Sequence, residues 1–314
     1  MKALRFHTFG GPEVLTLEEV PRPTPGPDEL LVEIHAAAVN PSDAKNVLGS
    51  MPQTKPPRTP GRDFAGVVVE SPKEWQGVRV FGTSGQLGFT RDGTHAEFVA
   101  VPRDAVARMP EHLSFEEAAV IGVPYVTAWE GIISRAGLKS EETILVVGGT
   151  GAVGTAATQI AKWRGARVIA TTQRLSLVSD EWRKHVDTVI DLEREAIAGH
   201  EANVVLDTVG AETFPAGLHS LARGGRIVVI TAATGREVKM DLFDFYRRDL
   251  SMFGVDSLKL PDSRNAEILS ELAPGFQSGA LKVQMPLTMR LDEARDAYEK
   301  VLKGSSQKIV LASH

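Results

Sequence analysis

Thr143-Ile144-Leu145-Val146-Val147-Gly148-Gly149-Thr150-Gly151-Ala152-Val153-Gly154-Thr155 decides the fold of this chain. Five β-prone residues run into Gly-x-Gly-x-x-Gly, formed by Gly149, Gly151 and Gly154, and the small or apolar Ala156, Ala157, Ile160 and Ala161 follow. A strand that enters a glycine loop and opens a helix offers free backbone N–H groups and a positive dipole end to a pyrophosphate. The first glycine serves the tight turn, the second lets backbone approach phosphate, and the third lets helix and strand pack closely. A lone triplet also reads as a plain turn. Here Gly165 ends the helix and Arg167–Thr171 makes a second strand, which is the context a dinucleotide site requires. A mononucleotide phosphate loop is excluded, because Thr155 stands where its lysine belongs. Gly149, Thr150, Gly151, Ala152, Val153 and Gly154 are the expected cofactor loop.

Downstream, β-prone runs at Thr188–Asp191, Asn203–Asp207, Arg226–Thr231 and Ser251–Val255 alternate with helical segments, the rhythm of a parallel α/β sheet. Ligands of such sheets lie beyond the carboxyl ends of the strands. Thr208, Val209 and Gly210 are therefore expected near the cofactor, as are Thr231 and Ala232. Asp207 either joins them or fixes their loop through hydrogen bonds. The second strand ends Thr171-Thr172-Gln173-Arg174, where an NAD enzyme usually places Asp or Glu against the ribose 2′-hydroxyl. A hydroxyl and a guanidinium hold a 2′-phosphate that a carboxylate repels, so Thr172 and Arg174 point to NADPH. The alternative is an Arg174 that only faces solvent.

Upstream the texture is β. Short runs at Lys2–Phe6, Val14–Val20, Glu29–Val39, Ala65–Glu70, Val78–Phe81 and His95–Val101 are punctuated by Gly and Pro, as in a barrel or sandwich. Ser114 and Glu117 form a capping-box pattern that opens a helical region, and Pro124 lies early in a further helix reaching toward Gly137. The tail reads as helices at Arg264–Leu272 and Leu291–Leu302, then a β run, Lys308–Ala312, able to return to the amino-terminal sheet.

The 314 residues, 42% hydrophobic and 24% charged, suffice for two globular domains. Zero cysteine excludes disulfides, thiol nucleophiles and thiolate zinc sites. A net charge of −5 without a basic stripe argues against a nucleic-acid partner. No apolar run nears a membrane span and no signal peptide follows Met1, so a cytoplasmic protein is expected. His7, His35, His95, His112, His185, His200, His219 and His314 show no ligand spacing, and no metal is expected.

Further segments carry a resemblance. Ala36-Ala37-Ala38-Val39-Asn40-Pro41-Ser42-Asp43, Pro60-Gly61-Arg62-Asp63-Phe64-Ala65-Gly66-Val67-Val68, Gly93-Thr94-His95-Ala96-Glu97-Phe98 and the glycine loop follow in order. Together they resemble the medium-chain dehydrogenase/reductases, in their zinc-independent quinone oxidoreductase branch. The resemblance implies an α/β fold: a Rossmann doubly wound parallel sheet domain at 123–261, and a GroES-like β-barrel domain from 1–122 and 262–314. It also implies a homodimer joined through edge strands, here Ser251–Val255. Zinc-dependent relatives hold catalytic zinc with a Cys in the first segment and a His-Glu pair in the second. This chain has Asn40 and Arg62-Asp63 there, and a guanidinium cannot ligate zinc.

Without a metal to polarise an alcohol, the expected reaction is hydride transfer from NADPH to a quinone or, as the alternative, to an α,β-unsaturated carbonyl, in the cleft between the domains. Asn40 is the expected donor to the substrate oxygen, with a turn-forming role before Pro41 as its rival. Thr127 is expected at the nicotinamide carboxamide. Lys45, Arg62 and Tyr125 are the candidate substrate contacts, although Asp43 and Arg62-Asp63 also read as scaffold through pairing of opposite charges. Some family members sandwich the quinone between tyrosines after the Asn–Asp segment, where this chain has Ala44-Lys45-Asn46-Val47-Leu48. Tyr125 and Tyr246 could substitute, or belong to the core. A different class, a non-catalytic NADPH-binding structural or regulatory protein, stays open.

Overall fold

The computed structural model describes residues 1–197, 199–305 and 307–313. The chain forms two compact units, one of Met1–Val123, Ser257–Gln277 and Lys282–His314, the other of Pro124–Asp256 with Ser278–Leu281. In the second unit, strands Thr188–Asp191, Arg167–Thr172, Thr143–Val147, Ala202–Asp207, Leu221–Val229 and Ser251–Gly254 lie side by side in that order. All pair in parallel. Numbered along the chain this is the doubly wound Rossmann order, which reverses between Thr143–Val147 and Ala202–Asp207. Ile144 through Val147 are all fully buried, as a parallel strand covered on both faces must be. Helix Ala152–Trp163 buries Ala156, Ala157, Ile160 and Ala161, the small face read from the sequence. Ser251–Gly254 is the outer strand, with Met252 half exposed.

Two local departures have physical causes. The fifth strand begins at Leu221 rather than Arg226, because Leu221 pairs with Ala202 before an irregularity around Gly224, at φ +74°, and pairing resumes between Val204 and Arg226. Helix Gly122–Trp129 passes into a π-helical turn, Glu130–Arg135, in which the Ala136 N–H donates to the Gly131 carbonyl. The wider turn brings Glu130 and Arg135 into an ion pair at 2.9 Å.

The first unit is the GroES-like one. Its main sheet runs Leu287–Arg290, Ile309–Ala312, Glu29–Val39, Asp63–Glu70, Arg79–Thr83, Ala107–Arg108, and Phe98–Pro102 also pairs with Glu29–Val39. The carboxyl-terminal run does return: Ile309–Ala312 pairs antiparallel with Ala36–Val39. Phe6, Leu15, Val39, Tyr298 and Leu311 pack in one core cluster, and Leu30, Val32, Ile34, Phe64 and Val80 in another. The capping box opens helix Phe115–Ala119, with the Glu117 N–H on Ser114 Oγ at 3.2 Å and the Ser114 N–H on the Glu117 carboxylate at 2.8 Å. Among the described residues no helix is long and apolar enough to cross a membrane.

Candidate functional site

The glycine loop is held from three sides. The Gly148 N–H donates to Thr171 Oγ1 at 2.9 Å and the Gly149 N–H to the Thr171 carbonyl at 3.0 Å. Trp182 Nε1 donates to the Gly149 carbonyl at 2.8 Å, and Thr208 Oγ1 to the Val147 carbonyl at 2.8 Å. The tight turn belongs to Gly148, at φ +77°, rather than to Gly149 as the triplet alone implies. Gly149 instead leaves room for packing: a Cβ there would meet Ala170 Cβ at 2.8 Å and Trp182 at 3.0 Å. Gly154 is the close approach, since its Cβ would lie 2.2 Å from the Gly148 carbonyl oxygen. Gly151 borders open space, its nearest neighbour at 3.4 Å, and no side chain caps the helix that starts at Ala152. Uncapped first-turn N–H groups of Ala152 and Val153, beside that space and next to exposed Thr150, fit a pyrophosphate.

The neighbouring strand ends complete the cradle. Asp207 is fully buried, and its carboxylate accepts from the Val209 N–H at 2.8 Å, the Gly210 N–H at 2.9 Å and the Thr213 hydroxyl. It is the residue that shapes the Thr208–Gly210 loop. At Gly210 a Cβ would come within 3.2 Å of Thr231 and Ala232, so the two loops abut. Thr172 is buried, with its hydroxyl accepting from the Arg174 N–H at 3.2 Å. Arg174 reaches into solvent, 4.0 Å from the exposed Glu193. Sequence reasoning missed Asp191, which the register sets directly beside Thr172. Its carboxylate accepts from the Glu193 N–H and faces Arg194 at 3.6 Å. The strand was legible, but the lateral neighbour at its end was not.

Thr127 and Tyr125 diverge. Thr127 is buried and its hydroxyl has no hydrogen-bond partner among the described residues, an arrangement that costs about 1–3 kcal/mol unless a bound group supplies one. Tyr125 lies in the core, the alternative weighed from the sequence. It is 5% exposed, its hydroxyl is engaged by Gln159, and burial pushes the phenol well above its usual range. Tyr246 is exposed and set edge-on to Phe243, while Tyr298 is buried with its hydroxyl on His95 Nδ1 at 2.9 Å.

A second constellation lies in the GroES-like unit. Asn40 is 1% exposed, and its amide is already engaged: Nδ2 donates to Asp63 Oδ2 at 3.0 Å, and Oδ1 accepts from Lys308 Nζ at 2.8 Å. Its backbone N–H donates to Asp43 Oδ2 at 2.8 Å, where it starts helix Pro41–Val47. Asn40 therefore starts the helix, and its amide keeps one N–H beyond the bond to Asp63. Arg62, a candidate substrate contact, is 1% exposed, and its Nη2 donates to the Ser257 carbonyl at 3.2 Å, the scaffold role that the sequence also offered for it. Lys45 is exposed on the same helix. Burial pushes the Asp43 carboxyl up to about 7, with Asp63 adding to the effect, and burial depresses His95 to about 4. His95 is accordingly neutral near pH 7. Its Nε2 donates to the Ala38 carbonyl at 3.1 Å while Nδ1 accepts from Tyr298. His95 also explains Gly61 at φ +97°, where a Cβ would fall 2.5 Å from the imidazole.

An amide, a buried guanidinium and a lysine ammonium do not make a zinc site. No group of three His, Cys, Asp or Glu suited to a metal is found among the described residues, and His314 lies outside them.

Residues 26–111 match the alcohol dehydrogenase GroES-like domain family, and residues 152–273 the zinc-binding dehydrogenase family. A zinc-type alcohol dehydrogenase-like protein of Schizosaccharomyces pombe is 40% identical over 99% of this chain and 97% of its own length. The 2-methylene-furan-3-one reductase of Solanum lycopersicum is 31% identical, covering 99% of this chain and 79% of that protein. The crystal structure of a Pseudomonas syringae quinone oxidoreductase superposes with a TM-score of 0.83 at 26% identity, over 99% of both chains. With both units and their order matched along nearly its full length, the chain belongs to the medium-chain dehydrogenase/reductase superfamily, in its quinone oxidoreductase-like branch.

Proposed function

We propose that this oxidoreductase uses NADPH to reduce a quinone, without a metal. The observation that carries the reading is the constellation at Asn40: Asn40 and Arg62-Asp63 stand where the resemblance gives zinc-dependent relatives their Cys and His-Glu ligands, and the Asn40 amide is held between Asp63 and Lys308. When bound, the reduced nicotinamide supplies the hydride. The chain's own residues do the rest. Gly149–Gly154 and the helix start hold the pyrophosphate, and the Thr127 hydroxyl meets the carboxamide. Thr208–Gly210, Thr231 and Ala232 line the nicotinamide side. The free Asn40 N–H, with Lys45, orients the acceptor oxygen and stabilises the charge that develops on it. The proton comes from solvent. A cytoplasmic homodimer joined through Ser251–Gly254 belongs to the same reading.

Preference for NADPH rests on the missing carboxylate at the end of Arg167–Thr172 and on the exposed Arg174. Its pairing with Glu193 at 4.0 Å is worth about 0–1 kcal/mol, so a 2′-phosphate displaces it readily. Arg174→Ala is expected to weaken NADPH binding about tenfold and to leave NADH binding unchanged in a fluorescence titration. Loss of both affinities in parallel would contradict the assignment.

Reduction of an α,β-unsaturated carbonyl is the second reading. It is favoured by the burial of Tyr125 and by the absence of an aromatic residue from helix Pro41–Val47, which leave no tyrosine sandwich there for a quinone ring. Steady oxidation of NADPH with 1,4-benzoquinone, 9,10-phenanthrenequinone and a set of enones separates the two. Tight NADPH binding without turnover on any of them would support the non-catalytic class instead.

A further inference from the structure

Nothing in the sequence alone singles out Lys308, yet the sheet register brings it to Asn40. Ile309 pairs with Val39 in the antiparallel ladder, so one step further Lys308 stands opposite Asn40. The same end of the sheet carries Asp63, paired with Ala38 on one side and Thr83 on the other. Lys308 is partly buried; burial lowers its pKa from the usual lysine value, and Asp63 and Asp43 oppose that by attracting its ammonium.

We infer that Lys308 is a positioning residue: its ammonium fixes the orientation of the Asn40 amide, keeping one Nδ2–H on Asp63 and leaving the other for the acceptor oxygen. This rests on the role proposed for Asn40. The chemistry allows one orientation only. An ammonium has donors and no acceptor, so it must face Oδ1, at 2.8 Å. An ionised carboxylate only accepts, so Asp63 Oδ2 must face Nδ2, at 3.0 Å. A flipped amide would set Nδ2–H against the ammonium and Oδ1 against the carboxylate, two repulsive contacts in a buried site. Asp63 has little freedom to follow a wandering amide. Its Oδ2 also accepts from the Val123 N–H at 3.0 Å, and a Cβ at Gly122 would lie only 2.6 Å from its Oδ1. With the backbone N–H of Asn40 held by Asp43, the lysine is what closes the frame around the side chain. Remove it and the Asn40 carbonyl loses its partner, so only the bond to Asp63 restrains the amide, and rotation about that bond tilts the second N–H away from the acceptor.

A double-mutant cycle on Lys308 and Asn40 tests this. Lys308→Met is expected to lower kcat with 1,4-benzoquinone by 10-fold to 100-fold while the Kd for NADPH stays within twofold. Lys308→Arg, which keeps the charge and the donors, is expected to recover most of the loss. In Asn40→Ala the lysine substitution should add no further loss, because its effect runs through the amide. Full kcat in Lys308→Met, or losses that multiply in the double variant, would overturn the inference. The same cycle read in Tm is independent of activity: Lys308→Met should lower Tm more in the wild-type background than in Asn40→Ala, and additive shifts would overturn it. A wild-type protein that binds NADPH but reduces no acceptor would refute the functional reading, with the Tm cycle still deciding the Lys308–Asn40 link.

Discussion

Gly154→Val is expected to abolish dinucleotide binding, with affinity for NADPH falling at least 100-fold and Tm falling with it. A Cβ at this position would lie 2.2 Å from the Gly148 carbonyl oxygen and 2.8 Å from Gly149 Cα, and both obstacles are backbone. No rotamer relieves such a clash, so the start of helix Ala152–Trp163 must lift from the loop it abuts. Overpacking of this kind costs about 1–3 kcal/mol, and it displaces the N–H groups that would hold the phosphates. Gly151→Ala provides the contrast. Its Cβ meets only the Gly148 oxygen at 3.4 Å, an ordinary contact, so the fold should hold with little change in Tm. The added methyl would instead occupy the open space assigned to the pyrophosphate. Titration and thermal denaturation of both variants separate the two effects. Unchanged NADPH affinity in Gly151→Ala would contradict the placement of the phosphates.

Asp207→Ala is expected to be the most destabilising single change near the cofactor loop. The carboxylate is fully buried, and its removal takes the acceptor from the Val209 and Gly210 N–H groups, while the Thr213 hydroxyl keeps the Gly210 carbonyl at 3.1 Å. Leaving buried donors unpaired costs about 1–3 kcal/mol each, and relaxation of the loop recovers part of that. A net loss of about 4 kcal/mol lowers Tm by roughly 10 °C in a chain of this size. Asp207→Asn keeps an acceptor for the two N–H groups and should retain most of the stability. Equal damage in both variants would show that charge, not hydrogen bonding, holds the loop.

Elements governed by local pattern were legible in the sequence. Lys2–Phe6, Glu29–Val39, Thr143–Val147 and Thr188–Asp191 have the same bounds in the structure as in the β-prone runs, and Ser114 with Glu117 forms the expected capping box. What escaped depends on distant partners. The Leu221 end of its strand hides behind a Gly-Gly pair and exists because Ala202 lies alongside. Arg62 and Tyr125 have residue types that suit a site, and their burial against Ser257 and Gln159 depends on partners far away in the chain. Asp191 and Lys308 act through lateral register, between residues 19 and 268 positions away in the chain, which no window on the sequence can show.

Steady-state oxidation of NADPH by 1,4-benzoquinone, in protein dialysed against a strong chelator, tests the central claim most directly. The expected result is turnover that saturates in both substrates and is unchanged by chelation or by added zinc. Turnover that vanishes on chelation and returns with zinc would contradict it.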